Sequence, residues 1–150
     1  MKKNKDLNIQ DVLFKEIDII QDIIKRMANN SFLMKGWTIT LVVGTLLLKN
    51  SKEQSFIAFI PLIVFWYLDA YFLWQERMYR KLYNWVITNR LETKKMLFDM
   101  NATRFIKDVD SKIKIMFSIT LRWFYLSILI VLLIYIIIIF KTDLLIILGC

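Results

Sequence analysis

One carboxylate stands inside an apolar run. Asp69 lies in the stretch Phe56 to Trp74 (FIAFIPLIVFWYLDAYFLW), which holds no other charge. If that stretch is a membrane helix, Asp69 sits about five residues, roughly 7 Å, inside its end. An ionisable group at the centre of a lipid-facing helix costs at least about 2.5 kcal/mol, and less near the interface. Asp69 must therefore face protein or water. Three readings are open. It pairs with Lys35, at similar depth in an earlier apolar run; it is a carboxyl satisfied by Tyr or backbone; or it lines a water-filled path, where a ring of Asp from several subunits favours cations. Glu76 follows seven residues on, on the same helix face, with Arg80 at i+4 from Glu76. Asp69, Glu76 and Arg80 thus form one polar stripe leaving the apolar run.

Other chemistries are excluded by residue type. There is no His, so no His-based triad, His metal site or His pH switch. A single Cys, Cys150, allows no internal disulfide. Three glycines, Gly36, Gly44 and Gly149, cannot build a phosphate-cradling loop. An intramembrane catalyst needs a second carboxylate, a Ser–Lys pair or a metal set at depth, and only Asp69 offers itself. No enzyme activity and no cofactor are expected.

A second set of residues is basic. Residues 75–122 carry eleven Lys and Arg against five acids, a net of +6. Arg77, Arg80, Lys81, Arg90, Lys94, Lys95 and Arg104 are interleaved with Tyr79, Tyr83, Trp85, Phe98 and Phe105. Cations with stacking rings suit an anionic ligand such as a nucleotide second messenger or a short nucleic acid. The same bases also fit membrane topology and anionic lipid, and the same rings fit a helical core.

These residues need elements to hold them. The chain has 150 residues and is 57% hydrophobic, against about 45–50% in soluble domains, and its net charge is +8. Mean hydropathy is +0.48. A bilayer core needs roughly 20 helical residues. Residues 32–48, 56–74 and 123–140 therefore read as three spans of a single domain, 1–150. Lys35, near the start of the first, can snorkel to the head groups. Residues 1–35 hold seven bases, the link Lys49 to Ser55 two, residues 75–122 eleven, and Lys141 is the last. The positive-inside bias places the N-terminus and residues 75–122 in the cytoplasm, with the link and C-terminus outside. Trp37, Trp74 and Trp123 then fall at the cytoplasmic ends. The acid-containing N-terminal segment is not a signal peptide.

Residues 7–27 form an amphipathic helix, capped by Asp6 or Asn8. Its stripe is Ile9, Leu13, Ile17, Ile20, Ile24 and Met27, at spacings of 4, 4, 3, 4 and 3. It either lies on the membrane or the rest of the chain, or self-associates through Leu13, Ile17, Ile20 and Ile24. Glu16 falls mostly off the stripe. The second span runs on as a helix with Met78, Leu82 and Trp85 on one side. A turn at Asp99 to Thr103, capped by Asp99 or Asn101, leads into a second arm. There Ile106, Val109, Ile113, Met116 and Thr120 repeat at 3, 4, 3 and 4. Residues 75–120 thus predict a cytoplasmic helical hairpin, with Ile106, Val109 and Ile113 as a further oligomer seam. Pro61 predicts a kink in the second span. Thr38, Thr40, Thr45 and Gly44 predict close helix contact in the first. The tail KTDLLIILGC is too short to cross, and either dips back or packs on a neighbour.

The run NNSFLMKGWTITLVVGTLLL followed by FIAFIPLIVFWYLDAYFLWQERMYRKLY resembles the SLATT group of small bacterial membrane proteins over roughly residues 20–90. The third apolar stretch departs from that group's plain two-span layout. The resemblance implies an effector of anti-phage defence in the bacterial inner membrane. It also implies a pore or channel partner of a nucleotide-synthesising or nucleotide-sensing protein, whose opening depolarises the infected cell. The expected fold is an all-α integral membrane protein: amphipathic helix, two-span hairpin, cytoplasmic helical hairpin and third span. The expected function is a gated homo-oligomeric pore in the lipid bilayer. The alternative is a membrane anchor or structural subunit for a soluble enzyme.

Overall fold

The computed structural model describes residues 8–48 and 53–147, mostly helical, with no strand among the described residues. Among the described residues four α-helices follow one another: α1 (Ile9–Leu47), α2 (Phe59–Asn89), α3 (Lys112–Met116) and α4 (Ile119–Ile147). Two 3₁₀ segments, Glu53–Ala58 and Ala102–Asp108, precede α2 and α3.

The predicted amphipathic helix and first span are one element. Asn8 caps α1, its Oδ1 accepting the Gln10 N–H at 3.1 Å. Nothing in Ala28–Ser31 interrupts the ladder, since the segment holds neither Gly nor Pro. Asp6, the other cap candidate, and Cys150 lie outside the described residues. Two helical stretches, Ser55–Asn89 and Ile119–Lys141, are long and apolar enough to cross a membrane. The expected span 32–48 is the C-terminal part of α1 and does not join them. Lys35, three threonines and two glycines dilute its hydropathy.

Pro61 is the third residue of α2, not an interior kink. It has no N–H to donate to Ile57, and the residues before α2 are wound as 3₁₀ helix. α2 continues well past Trp74, as the sequence predicts, and ends at Asn89. The second arm of the predicted hairpin is not a helix. Asn101 caps the 3₁₀ turn, accepting the Thr103 N–H at 3.1 Å, and Val109 ends it in extended conformation. Asp108 is the last residue of the turn, and Asp110 and Ser111 follow Val109. Such short polar side chains offer the backbone alternatives to a helix. α3 is only five residues long, and a break at Phe117 and Ser118 separates it from α4. α4 runs straight through Lys141 to Ile147, so residues 141–147 do not dip back.

The chain divides into two compact units. The apolar unit comprises residues 31–71 and 112–150. Each of its long helices buries one narrow stripe. These are Ser31, Thr38 and Val42 on α1; Leu62, Trp66, Asp69 and Ala70 on α2; and Leu121, Tyr125, Leu132 and Ile136 on α4. Outward faces carry Leu41, Val43, Ile60, Ile63, Val131 and Ile137 in exposed positions. Only 28% and 17% of the most apolar windows of α2 and α4 are buried, the inverse of a soluble core helix. Gly36 and Gly44 face open space, where an added methyl meets nothing within 4 Å. Thr40 is exposed. The expected close approach at Gly44 and Thr40 is therefore absent, and Thr38 alone of that set is buried.

The charged unit comprises residues 1–30 and 72–111. Val12, Glu16 and Ile20 of α1 and Trp74, Met78, Leu82 and Val86 of α2 form its buried stripes. Met78 and Leu82 lie where the periodicity places them, with Val86 buried in place of Trp85.

Candidate functional site

Within the apolar unit four polar side chains, Ser31, Lys35, Asp69 and Tyr125, gather into one knot. Asp69 is fully buried. Lys35 Nζ lies 2.7 Å from Asp69 Oδ2. Ser31 donates its hydroxyl to Oδ1, and the Tyr125 hydroxyl donates to Oδ2 at 3.0 Å. Lys35 also donates to Ser31 Oγ at 3.1 Å. Three helices thus supply donors or acceptor to one carboxylate: α1 through Ser31 and Lys35, α2 through Asp69, α4 through Tyr125. The helical period puts Ser31 and Lys35 on one face of α1, four residues apart.

The knot combines two of the three readings of Asp69. The carboxylate pairs with Lys35 and is also satisfied by Tyr. Within the single chain the carboxylate is shut off from solvent. Lys35 turns its ammonium to Asp69, and 23% of its side chain is exposed. A Ser–Lys pair, missing from the sequence reading, does form between Ser31 and Lys35. Lys35 is the donor in it, and the Ser31 proton goes to Asp69, so the hydroxyl is not set up as a nucleophile activated by lysine.

Aromatic packing fixes Tyr125. Its ring stacks on Trp66 at 5.4 Å between centroids and 8° between planes. Phe117 meets the same indole edge-on at 5.4 Å. Trp66 Nε1 donates to the Met116 carbonyl at 2.9 Å. The break between α3 and α4 leaves such carbonyls without helical partners, and the indole satisfies this one. Ser31 and Tyr125 escaped the sequence reading. The available signal was a hydroxyl one turn before Lys35 and a Tyr two residues inside an otherwise apolar run.

In the charged unit a second buried ion pair joins α1 to the segment after α2. Glu16 and Arg90 are each about 1% exposed. Arg90 donates through Nε and Nη2 to the two Glu16 oxygens. Nη1 reaches the Lys95 carbonyl at 2.6 Å, and Nη2 the Met96 carbonyl at 3.0 Å. The Phe98 N–H donates to Glu16 Oε1 at 2.6 Å. The loop so fastened holds Met96 and Phe98 at φ 55°, a left-handed conformation that bulky residues rarely adopt. Glu16 therefore belongs to the buried stripe, contrary to the sequence reading.

The clasp removes Arg90 from the candidate anion-binding set, and the remaining bases do not converge. Lys94 and Lys95 are exposed on the loop. Arg104 lies over the Trp85 ring at 4.4 Å and the Phe105 ring at 5.1 Å, with Asp99 3.6 Å away. Arg77 and Lys81 do share a recess of about 280 Å³ with Arg80, Asn84, Asp108, Val109 and Asp110. Arg77 Nη1 pairs with Asp110 at 3.4 Å, and Arg80 pairs with the buried Glu76 at 2.7 Å. A neighbouring recess of about 400 Å³ is lined by Gln21, Ile24, Lys25, Arg80, Tyr83 and Asn84. The polar stripe of the sequence thus divides: Asp69 serves the apolar unit, Glu76 and Arg80 the charged one.

The oligomer seams also change. Ile20 is buried within the chain, while Leu13, Ile17 and Ile24 are half-buried. Ile106 and Ile113 are exposed and Val109 half-buried. They share no helix, because their segment is a 3₁₀ turn, an extended residue and the short α3; Ile115 is the buried residue there. Comparison with protein-family models, curated proteins and solved structures finds no match.

Proposed function

We propose that the chain is an integral membrane protein that assembles with copies of itself and opens a gated ion pathway, the Asp69 knot holding its closed packing. The observation that supports this reading is a fully buried carboxylate, tied to two other helices, in an otherwise apolar unit. An ion pair in such a place adds little net stability over apolar residues of similar volume. Its use lies in selecting one packing over another. Breaking it releases three helices at once, which is what a two-state gate requires.

Residues 32–48, 56–74 and 123–140 cross the bilayer in this proposal. The outward apolar faces of α2 and α4 support the second and third crossings, and the ion-paired Lys35 makes the first tolerable. The charged unit lies in the cytoplasm and receives the trigger, a nucleotide second messenger, a short nucleic acid or a nucleotide-synthesising protein. Three spans enclose no useful aqueous path, so the conducting form is a homo-oligomer. In the setting implied by the resemblance of residues 20–90, opening depolarises the inner membrane during phage infection.

The test is expression of wild type and Asp69→Asn in bacteria with a potential-sensitive dye. Depolarisation by Asp69→Asn, with wild type silent until triggered, is the expected result. A second reading is favoured by Phe14, Leu91, Met96 and Phe98, which leave apolar surface exposed on the charged unit. It makes the chain a membrane anchor. Silence from both proteins, with a soluble enzyme co-purifying, would establish that reading instead.

A further inference from the structure

We infer that the recess beside Arg77, Arg80 and Lys81 holds the headgroup of a phosphoethanolamine lipid, its phosphate on those bases and its ammonium on Asp108 and Asp110. The inference rests on the proposal that α2 crosses a bilayer.

The first argument is depth along one helix. Phe56 to Trp74 is the length of a hydrocarbon core at 1.5 Å per residue. Arg77 follows one turn after Trp74, and Arg80 and Lys81 one turn after that. The polar layer adds roughly 5–7 Å on each side of the core. These bases therefore emerge at the level of lipid phosphates and just beyond.

The second argument is charge. The positions 77, 80, 81 and 84 share one face of α2 at helical spacing, so three cations and an amide point into the recess together. Asp108 and Asp110, flanking Val109, complete the lining. A purely anionic headgroup that takes the bases leaves the two carboxylates there without a cation. A zwitterion matches both signs, provided that its cation can donate hydrogen bonds. A primary ammonium donates three, whereas a quaternary one donates none.

The third argument is exchangeability. Lys81 and Asp108 are exposed and form no ion pair among the described residues. The Arg77–Asp110 pair is long and half-exposed, so a phosphate can replace its carboxylate at little loss. Arg80 keeps Glu76 and presents its remaining N–H groups. The recess is sized for a headgroup, at the lower end of small-molecule sites.

The test is native mass spectrometry of the full chain from detergent micelles doped with phosphatidylethanolamine, phosphatidylcholine or phosphatidylglycerol. A parallel titration uses free phosphoethanolamine. The expected result is retention of phosphatidylethanolamine about tenfold stronger than of either other lipid. Lys81→Gln and Asp108→Asn should each remove most of that preference, with helix content unchanged because both residues are exposed. Asp108→Lys should shift the preference to phosphatidylglycerol. Equal retention of the three lipids, or a preference that survives both variants, overturns the inference. Free phosphoethanolamine binding as tightly as the lipid would overturn the lipid source. Failure of the chain to enter micelles or membranes defeats the membrane proposal instead, so the two failures are distinguishable.

Discussion

The two buried ion pairs invite comparison. Lys35–Asp69 joins three helices of the apolar unit, and most of its partners are side chains: a Ser hydroxyl, a Tyr hydroxyl and the pair itself. Glu16–Arg90 joins a helix to a loop, and its further partners are backbone groups, the carbonyls of Lys95 and Met96 and the N–H of Phe98. A guanidinium fork committed to fixed carbonyls has no second arrangement to adopt. An ammonium and a hydroxyl on α1 and a second hydroxyl on α4 can change partners when helices slide. The first pair suits a switch, the second a fastening.

That contrast is broken most severely at Arg90. Arg90→Met leaves Glu16 buried without a cation and takes a donor from the carbonyls of Thr93, Lys95 and Met96, and should cost about 3–5 kcal/mol. Thermal unfolding and limited proteolysis at residues 90–98 would report it. Arg90→Lys should not rescue, because an ammonium cannot span the same acceptors. Loss below about 1 kcal/mol would show that the clasp is not a fastening.

The apolar unit should respond differently. The pair replacement Lys35→Met with Asp69→Leu should leave stability within about 1 kcal/mol of wild type, since apolar residues of similar volume substitute for buried pairs. Its effect should fall on gating. Tyr125→Phe should cost about 0.6 kcal/mol and no more than about 1.7 kcal/mol, the average and the maximum for interhelical hydrogen bonds in membranes, and keep the stack on Trp66. Chemical denaturation in micelles compares the two. A large loss in the double replacement would make the knot a fastening too.

How far the sequence was legible follows the same division. The second and third apolar runs, the continuation past Trp74 and the Asn101 cap were readable, because each rests on local pattern. Lys35 as partner of Asp69 was among the open readings, since depth along a helix can be counted. Tyr125 was not singled out, because a Tyr near the end of an apolar run looks like any interfacial aromatic. The clasp was not legible at all. Glu16 and Arg90 are 74 residues apart, and their meeting depends on a loop with two left-handed residues that no Gly announces. The stripe Ile106, Val109 and Ile113 misled for the converse reason: a helical period occurred where Asp108, Asp110 and Ser111 end the helix.

Two smaller effects sharpen the comparison. Met96→Gly should gain about 1 kcal/mol by relieving a left-handed residue, read as a higher Tm, if the clasp imposes that conformation. Gly44→Ala should gain about 0.5–1 kcal/mol, because its methyl points into open space within a helix. A loss at Gly44 would mean that another helix packs there in the assembled protein.

The most direct measurement of the central claim is ion flux through purified protein in liposomes, wild type beside Asp69→Asn in matched vesicles. If the knot holds a closed packing, wild type is quiet and Asp69→Asn conducts without a trigger. If both are equally quiet, and stay so when cytoplasmic extract from infected cells is added, the knot gates nothing.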